Sequence, residues 1–261
     1  MEIRDKVIVI TGAASGIGLG LARRFAQEKP ARLVLADIDS DPLNEIAEEL
    51  NATAVTCDVG EQSDVERLIQ EAEKDCEAID LYCGNAGILR FGGVNTTDRD
   101  LQQVWDVNVM SHIFAARAAL PRMLKRGKGY FLITASAAGL LSQPGSLSYS
   151  ISKHAALAFA EWIQITHGHQ GIKVSALCPQ GVETQMTAGT DGGSIAGIDG
   201  MLAPKDVAES VVDTLAKEQF LVLPHPQVKK YFQHKAADYD RWIAGMQKLQ
   251  QQFSELMPRD I

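Results

Sequence analysis

Residues 6–11, KVIVIT, form a short unbroken run rich in β-branched side chains, and GAASGIG follows at once. A run of that length and composition is a strand buried on both faces, the kind that parallel sheets use. The glycines then permit a tight turn. LGLARRFAQE (19–28) resumes with apolar residues at helical spacing, and RLVLAD (32–37) supplies a second strand. Strand, turn, helix and strand in that order make a βαβ unit with a right-handed crossover, which restricts the fold to parallel sheets flanked by helices.

The alternation continues through helix 41–50, strand 53–57, helix 61–77, strand 79–83, a long helical region 98–126 and strand 129–135. Helix 148–168, strand 172–178, helix 204–217 and a short strand 220–223 complete it. The expected fold is α/β: a doubly wound, Rossmann-like parallel sheet of about seven strands, in a single domain over 1–261. Residues 226–257 read as a C-terminal helical extension of one helix or two. Its apolar anchors are Tyr231, Phe232, Trp242, Met246, Leu249 and Phe253, expected to cover the sheet or a neighbouring subunit, with a contribution of the C-terminal helix to a substrate pocket, beside 137–148 and 187–203, as the alternative. Residues 187–200 carry five glycines and little periodicity, and read as a mobile lid. The apolar residues Met186, Ile195, Ile198, Met201 and Leu202 are expected to face a substrate with considerable apolar surface.

Composition narrows the partners. With 46% apolar residues the chain can fill a sizeable core, and a formal charge of −8 argues against a nucleic-acid backbone as ligand. Cys57, Cys76, Cys83 and Cys178 show no metal-ligand spacing, so no metal is expected. The first residues lead straight into the fold without a signal-peptide pattern, and no apolar run approaches the ~20 residues of a membrane span. The expectation is a cytoplasmic protein that engages neither membrane nor nucleic acid.

Two stretches carry chemistry. Between the first strand and helix, Gly12, Gly16 and Gly18 let the backbone approach a pyrophosphate at a helix N-terminus. Asp37 ends the second strand, where a carboxylate can accept hydrogen bonds from both hydroxyls of an adenosine ribose. Further on, Tyr149 and Lys153 stand one helical turn apart on one face. An ammonium beside a phenol favours the phenolate and lowers its pKa, which makes Tyr149 a candidate general acid/base. Ser136 can hydrogen-bond the same substrate oxygen if the loop between them folds the two together.

These motifs, with Asp58-Val59, Asn85-Ala86-Gly87, Asn108 and Tyr149-Ser150-Ile151-Ser152-Lys153, resemble the short-chain dehydrogenase/reductase family in its single-domain form over nearly the whole chain. The resemblance implies NAD as cofactor, held by Gly12, Ser15, Gly16, Ile17, Gly18, Asp37, Ile38, Asp58, Val59, Asn85, Ala86, Gly87, Tyr149, Lys153, Pro179, Val182 and Thr184. It implies a catalytic set of Asn108, Ser136, Tyr149 and Lys153, in which Asn108 holds a water of the proton relay and Lys153 the nicotinamide ribose. It also implies a homodimer or homotetramer paired through the long helices. The small-molecule substrate is then a secondary alcohol or ketone.

The chain departs from the family pattern at Gly84, where a second Asn is common, and at Gln180, which occupies a usual glycine position in Pro179–Thr184. A non-catalytic dinucleotide sensor on the same fold is the rival reading. The intact Ser136, Tyr149 and Lys153 argue against it.

Overall fold

The structure is a computed structural model that describes residues 1–76, 78–188 and 195–253. Its strands are β1 (Val7–Thr11), β2 (Arg32–Asp37), β3 (Thr53–Thr56), β4 (Leu81–Gly84), β5 (Gly129–Thr134), β6 (Ile172–Leu177) and β7 (Leu221–Val222). They form one seven-stranded sheet in the order β3-β2-β1-β4-β5-β6-β7, and every pairing is parallel. The helices are α1 (Gly16–Gln27), α2 (Ser40–Leu50), α3 (Gln62–Ala72), α4 (Asp98–Trp105), α5 (Ser111–Arg126), α6 (Ala138–Leu141), α7 (Leu147–His167), α8 (Pro204–Ala216), α9 (Gln227–Ala237) and α10 (Tyr239–Gln252).

Successive strand residues point to opposite faces, and the sequence exploits this on both. In β1, Ile8 and Ile10 enter a core shared with α1, α2 and α8, while Val9 enters the opposite core with α3, α5 and α7. In β5, Tyr130 and Leu132 are divided from Phe131 and Ile133 in the same way. Each fully buried Leu, Ile or Phe contributes about 1.5–3 kcal/mol, so the two layers fix the sheet between its helices. Chain progression reverses between β1 and β4. Their carboxyl ends, Thr11 and Gly84, therefore flank the crevice where open α/β sheets bind ligands.

Several boundaries differ from the sequence reading. Helix α3 stops at Ala72, short of 77, because residues 73–76 turn; residue 77 lies outside the described set. Strand β4 begins at Leu81 rather than 79, since Ile79 is spent on the core and the Asp80 carboxylate accepts the Val7 N–H at 2.9 Å. The long helix 98–126 is interrupted by a π turn at Asp106–Met110, a wider coil that carries Asn108. The extension is two helices, because the Asp238 carboxylate accepts the Arg241 N–H and starts α10 afresh. Tyr231 and Trp242 touch the core, yet α10 has no buried residue and does not cover the sheet. Among the described residues no helix is long and apolar enough to cross a membrane.

Candidate active site

A cavity of about 1170 Å³ extends from the carboxyl ends of β1 and β4 to α9 and α10. At its first end Gly12 (φ +66°) and Gly16 (φ +50°) take the left-handed backbone that favours glycine. Gly18 has another reason: a Cβ there would stand 1.9 Å from the Gly12 carbonyl oxygen, so it packs α1 against the turn from behind the wall. Helix α1 starts with no side-chain cap from Ser15 and no acid in its first turn, whereas Thr97, Ser146 and Asp238 cap α4, α7 and α10. Its first N–H groups and positive dipole end are left for an anion, which fits a pyrophosphate.

Asp37 pins this turn as well as facing the cavity. Its Oδ2 accepts the Ala14 N–H at 2.9 Å and Oδ1 the Asp39 N–H at 3.2 Å, and each oxygen keeps a further lone pair. Ile17, Ile38, Asp39, Asp58 and Val59 complete the end, and no lysine or arginine joins them among the described residues. The Asp58 Oδ1 accepts the Gly60 N–H at 2.9 Å. Asn85 ties three strand ends together: its N–H donates to Thr11 Oγ1 at 3.0 Å, its Nδ2 to the Thr11 carbonyl at 3.0 Å, and its Oδ1 accepts from Thr134 Oγ1 at 3.2 Å. Ala86 and Gly87 continue this floor.

Ser136, Tyr149 and Lys153 line the same cavity further along. The Ser146 hydroxyl accepts the Tyr149 N–H at 3.3 Å, which starts α7 where Tyr149 and Lys153 fall on one face. Lys153 is buried, and its Nζ donates to the Thr134 carbonyl at 2.9 Å while standing 5.5 Å from the Tyr149 ring centre. The expected lowering of the Tyr149 pKa does not occur. Burial raises it above the ordinary phenol value, with the neighbouring Ser136 hydroxyl opposing, because the ammonium is turned to the Thr134 carbonyl rather than to the phenol. Burial likewise pushes Lys153 down to about 8.

Asn108 lies behind the wall. Its Nδ2 donates to the Ile88 carbonyl (2.9 Å) and to Ser152 Oγ (3.0 Å), and its Oδ1 accepts the Ile88 N–H at 2.8 Å. Both amide hydrogens are used, which leaves one acceptor position on Oδ1. A Cβ on Gly87 would stand 3.3 Å from both that oxygen and Lys153 Nζ, so the two atoms flank one glycine.

Both departures from the family pattern have a local reason. A Cβ on Gly84 would meet His112 Nδ1 at 2.7 Å: the imidazole fills the room of the absent side chain, stacked on Phe159, and burial holds it neutral with a pKa of about 3. The Gln180 N–H donates to His225 Nδ1 at 3.2 Å. The next residue, Gly181, is closely packed: a Cβ there would meet Met201 Sδ at 2.4 Å and the Ala196 carbonyl at 3.0 Å. Pro179, Val182 and Thr184 remain on the cavity wall.

The far end was read only in part. Trp242, Met246 and Leu249 line the cavity, Trp242 while also packing on the core, and Tyr231, Arg241, Leu89, Arg90 and Phe91 join them. Met186, Ile195 and Ile198 line it as expected, but Leu202 packs on the core and Met201 against Gly181. The expected lid falls partly at 189–194, outside the described residues. Residues 195–202 are tied down, since the Gly181 N–H donates to the Ala196 carbonyl and the Leu202 N–H to the Gly181 carbonyl. Arg90 and Arg241 escaped sequence reading because they carry no motif; for the α10 stripe only the i, i+4, i+7 spacing of Trp242, Met246 and Leu249 signalled a shared face.

The sequence model of the family described as short chain dehydrogenase matches residues 6–193. The chain is 39% identical over 238 residues to 1-deoxy-11-beta-hydroxypentalenate dehydrogenase of Streptomyces exfoliatus, covering 88% of this chain and 86% of that one. It is 35% identical over 193 residues to meso-2,3-butanediol dehydrogenase of Serratia marcescens, with 72% and 76% covered. Among solved structures, a short chain dehydrogenase/reductase from Burkholderia phymatum in complex with NAD superposes with a TM-score of 0.83 at 28% identity, over 92% of this chain and 96% of that one.

Proposed function

The chain belongs to the short-chain dehydrogenase/reductase family and is a hydride-transferring oxidoreductase that uses a nicotinamide cofactor, and we propose that it is an NAD-dependent secondary-alcohol dehydrogenase or ketone reductase with Tyr149 as general acid/base. One observation carries this reading: Ser136, Tyr149 and Lys153 lie on the wall of the same cavity as the glycine turn and Asp37. The bound cofactor supplies or accepts the hydride at the carbinol carbon. In reduction Tyr149 donates its proton to the substrate oxygen while the Ser136 hydroxyl holds that oxygen; in oxidation the phenolate takes the proton back. In this reading Lys153 relays the proton and Asn108 holds a water of the relay through the free acceptor position of its Oδ1.

NAD is favoured over NADP by charge. A 2′-phosphate would meet Asp37, Asp39 and Asp58 with no cation beside them among the described residues. The apolar walls suit a partly apolar substrate, as does the hydroxypentalenate named for the Streptomyces relative. The same reading takes 1–261 as one domain in the cytoplasm, assembled as a homodimer or homotetramer. On α7 Leu157 belongs to the core, but Trp162 and Ile165 are 58% and 79% exposed, which supports pairing through that helix.

The test is NADH formation across a panel of secondary alcohols, repeated with NADP and with Asp37→Ala. A like-charge contact costs several kcal/mol, so kcat/KM with NAD should exceed that with NADP by roughly 10²-fold or more. Asp37→Ala should narrow the gap. Equal kcat/KM with both cofactors would overturn the assignment of NAD, and no turnover on any alcohol or ketone would favour the sensor.

A further inference from the structure

The cavity is electrically divided. Its acidic residues Asp37, Asp39 and Asp58 crowd the end where α1 begins, whereas the end beyond Tyr149 carries Arg90 on one wall and Arg241 on the other. That basic mouth belongs to a chain of formal charge −8. Elsewhere Arg23, Arg24, Arg32, Arg67, Arg122 and Arg126 each face a carboxylate, while Arg4, Arg99 and Arg117 have no ion pair among the described residues but do not line the cavity. Arg90 and Arg241 have no ion-pair partner among the described residues; Arg90 holds only the Leu89 carbonyl and Gln103 Oε1, at 3.4 and 3.3 Å. The one carboxylate lining this end, Asp238, is engaged in capping α10 through the Arg241 N–H.

Apolar side chains line the same end. Trp242, Met246 and Leu249 present one stripe of α10 to the cavity although the helix buries no residue in the core. The extension is held over the site by Lys235, whose buried Nζ donates to the Leu140 carbonyl of α6 at 2.7 Å. With α9 tied to α6 and the adjoining α10 lining the cavity with an apolar stripe and an unpaired cation, this end is built to receive an amphiphile.

We propose that this end is a subsite for a carboxylate on an apolar substrate, with Arg241 and Arg90 taking the anionic group while the hydrocarbon body lies on the α10 stripe. Guanidinium groups match carboxylates with paired, charge-assisted hydrogen bonds, and both arginines are exposed and free to turn toward the ligand. The assignment rests on the proposed dehydrogenase reading, because it makes the substrate a hydroxy or keto acid anchored at its far end. It adds a specificity determinant that the proton-transfer groups do not supply.

The test uses binding, not turnover. With the NADH-saturated enzyme, calorimetric titration should show decanoate binding at least about tenfold more tightly than decanamide, a neutral ligand of the same length. The double variant Arg90→Gln/Arg241→Gln should bring the two to parity while decanamide and NADH bind as before. Equal affinity in the wild type, or an undiminished preference in the double variant, would overturn the subsite; so would octyl phosphate binding more than tenfold tighter than decanoate. An enzyme that prefers decanoate yet oxidises no alcohol would sink the dehydrogenase reading and leave the subsite standing.

Discussion

The two ends of the cavity are built by different means. The end at β1 and α1 is made of backbone: left-handed Gly12 and Gly16, the uncapped start of α1, and Asn85 lashing three strand ends together. The end at α9 and α10 is made of side chains on a surface extension, fixed to the body by Lys235 and by partial burial of Tyr231 and Trp242. Backbone geometry that favours glycine, at a position where a Cβ on Gly12 would stand 2.9 Å from Ala86 Cα, tolerates little change, so the first end suits one constant ligand. Apart from Trp242, which packs on the core, the stripe lies on a helix with no fully buried residue and can be rewritten with little effect on the sheet, which suits a ligand that differs from relative to relative.

The largest test of this division acts on the groups between the ends. Tyr149→Phe removes a single hydroxyl, and kcat should fall by ~10²–10⁴-fold, the range typical of general acid–base catalysis. Binding at both ends should survive, seen as an unchanged NADH dissociation constant and an unchanged substrate-analogue affinity in the NADH complex. A variant with near-normal kcat would show that another group moves the proton. Loss of NADH binding would show that the phenol belongs to the cofactor end and that the division is drawn in the wrong place.

The same division explains what was legible in the sequence. The fold and the cofactor end could be read because buried parallel strands demand β-branched runs and tight turns demand glycine, so the physics writes itself into local composition. The substrate end could be read only in part: Met186, Ile195 and Ile198 line it as expected, but Arg90 and Arg241 reach one cavity only through the folded chain. The α10 stripe obeys the same periodicity as any core-facing helix. Boundary errors had a similar origin. Nothing in 98–126 announces a π turn, since the wider coil is imposed by Asn108 reaching the Ile88 backbone rather than by local propensity. The replacement of Asn by Gly84 was visible, but its partner His112 lies 28 positions away on another element.

A second, smaller effect sharpens the view of the cofactor end as rigid and already dry before its ligand arrives. Burial lowers the Lys153 pKa from 10.5 to about 8. Below pH 8 the folded and unfolded chains both hold the proton, and the folded form bears the whole cost of burying the charge. Between pH 8 and 10.5 the unfolded chain holds a proton that the folded chain has released, so stability rises with pH across that window. Urea unfolding of the cofactor-free wild type, minus that of Lys153→Met, should therefore gain on the order of 3 kcal/mol from pH 8 to 10.5. A flat difference would mean that water reaches Lys153 and that the floor is not preformed.

The smallest effect is expected where the extension is fastened. Lys235→Met keeps the apolar stem but removes the hydrogen bond to the Leu140 carbonyl and the cation 5.6 Å from the Tyr239 ring centre. Two opposing terms make the stability change small: a charge-assisted hydrogen bond is lost, worth about 1.5–3 kcal/mol, and the cost of holding a largely buried ammonium disappears with it. Net stability should shift by no more than about 1 kcal/mol. The consequence should appear instead in the substrate end, because α9 loses its tie to α6 and α10 follows it: KM for the substrate should rise roughly 3–10-fold while kcat and the NADH dissociation constant stay put, the pattern of lost uniform binding. If NADH affinity weakens in parallel, the two ends are mechanically one unit. If KM does not move at all, partial burial of Tyr231 and Trp242 is enough to seat the extension, and Lys235 is a passenger rather than its fastening.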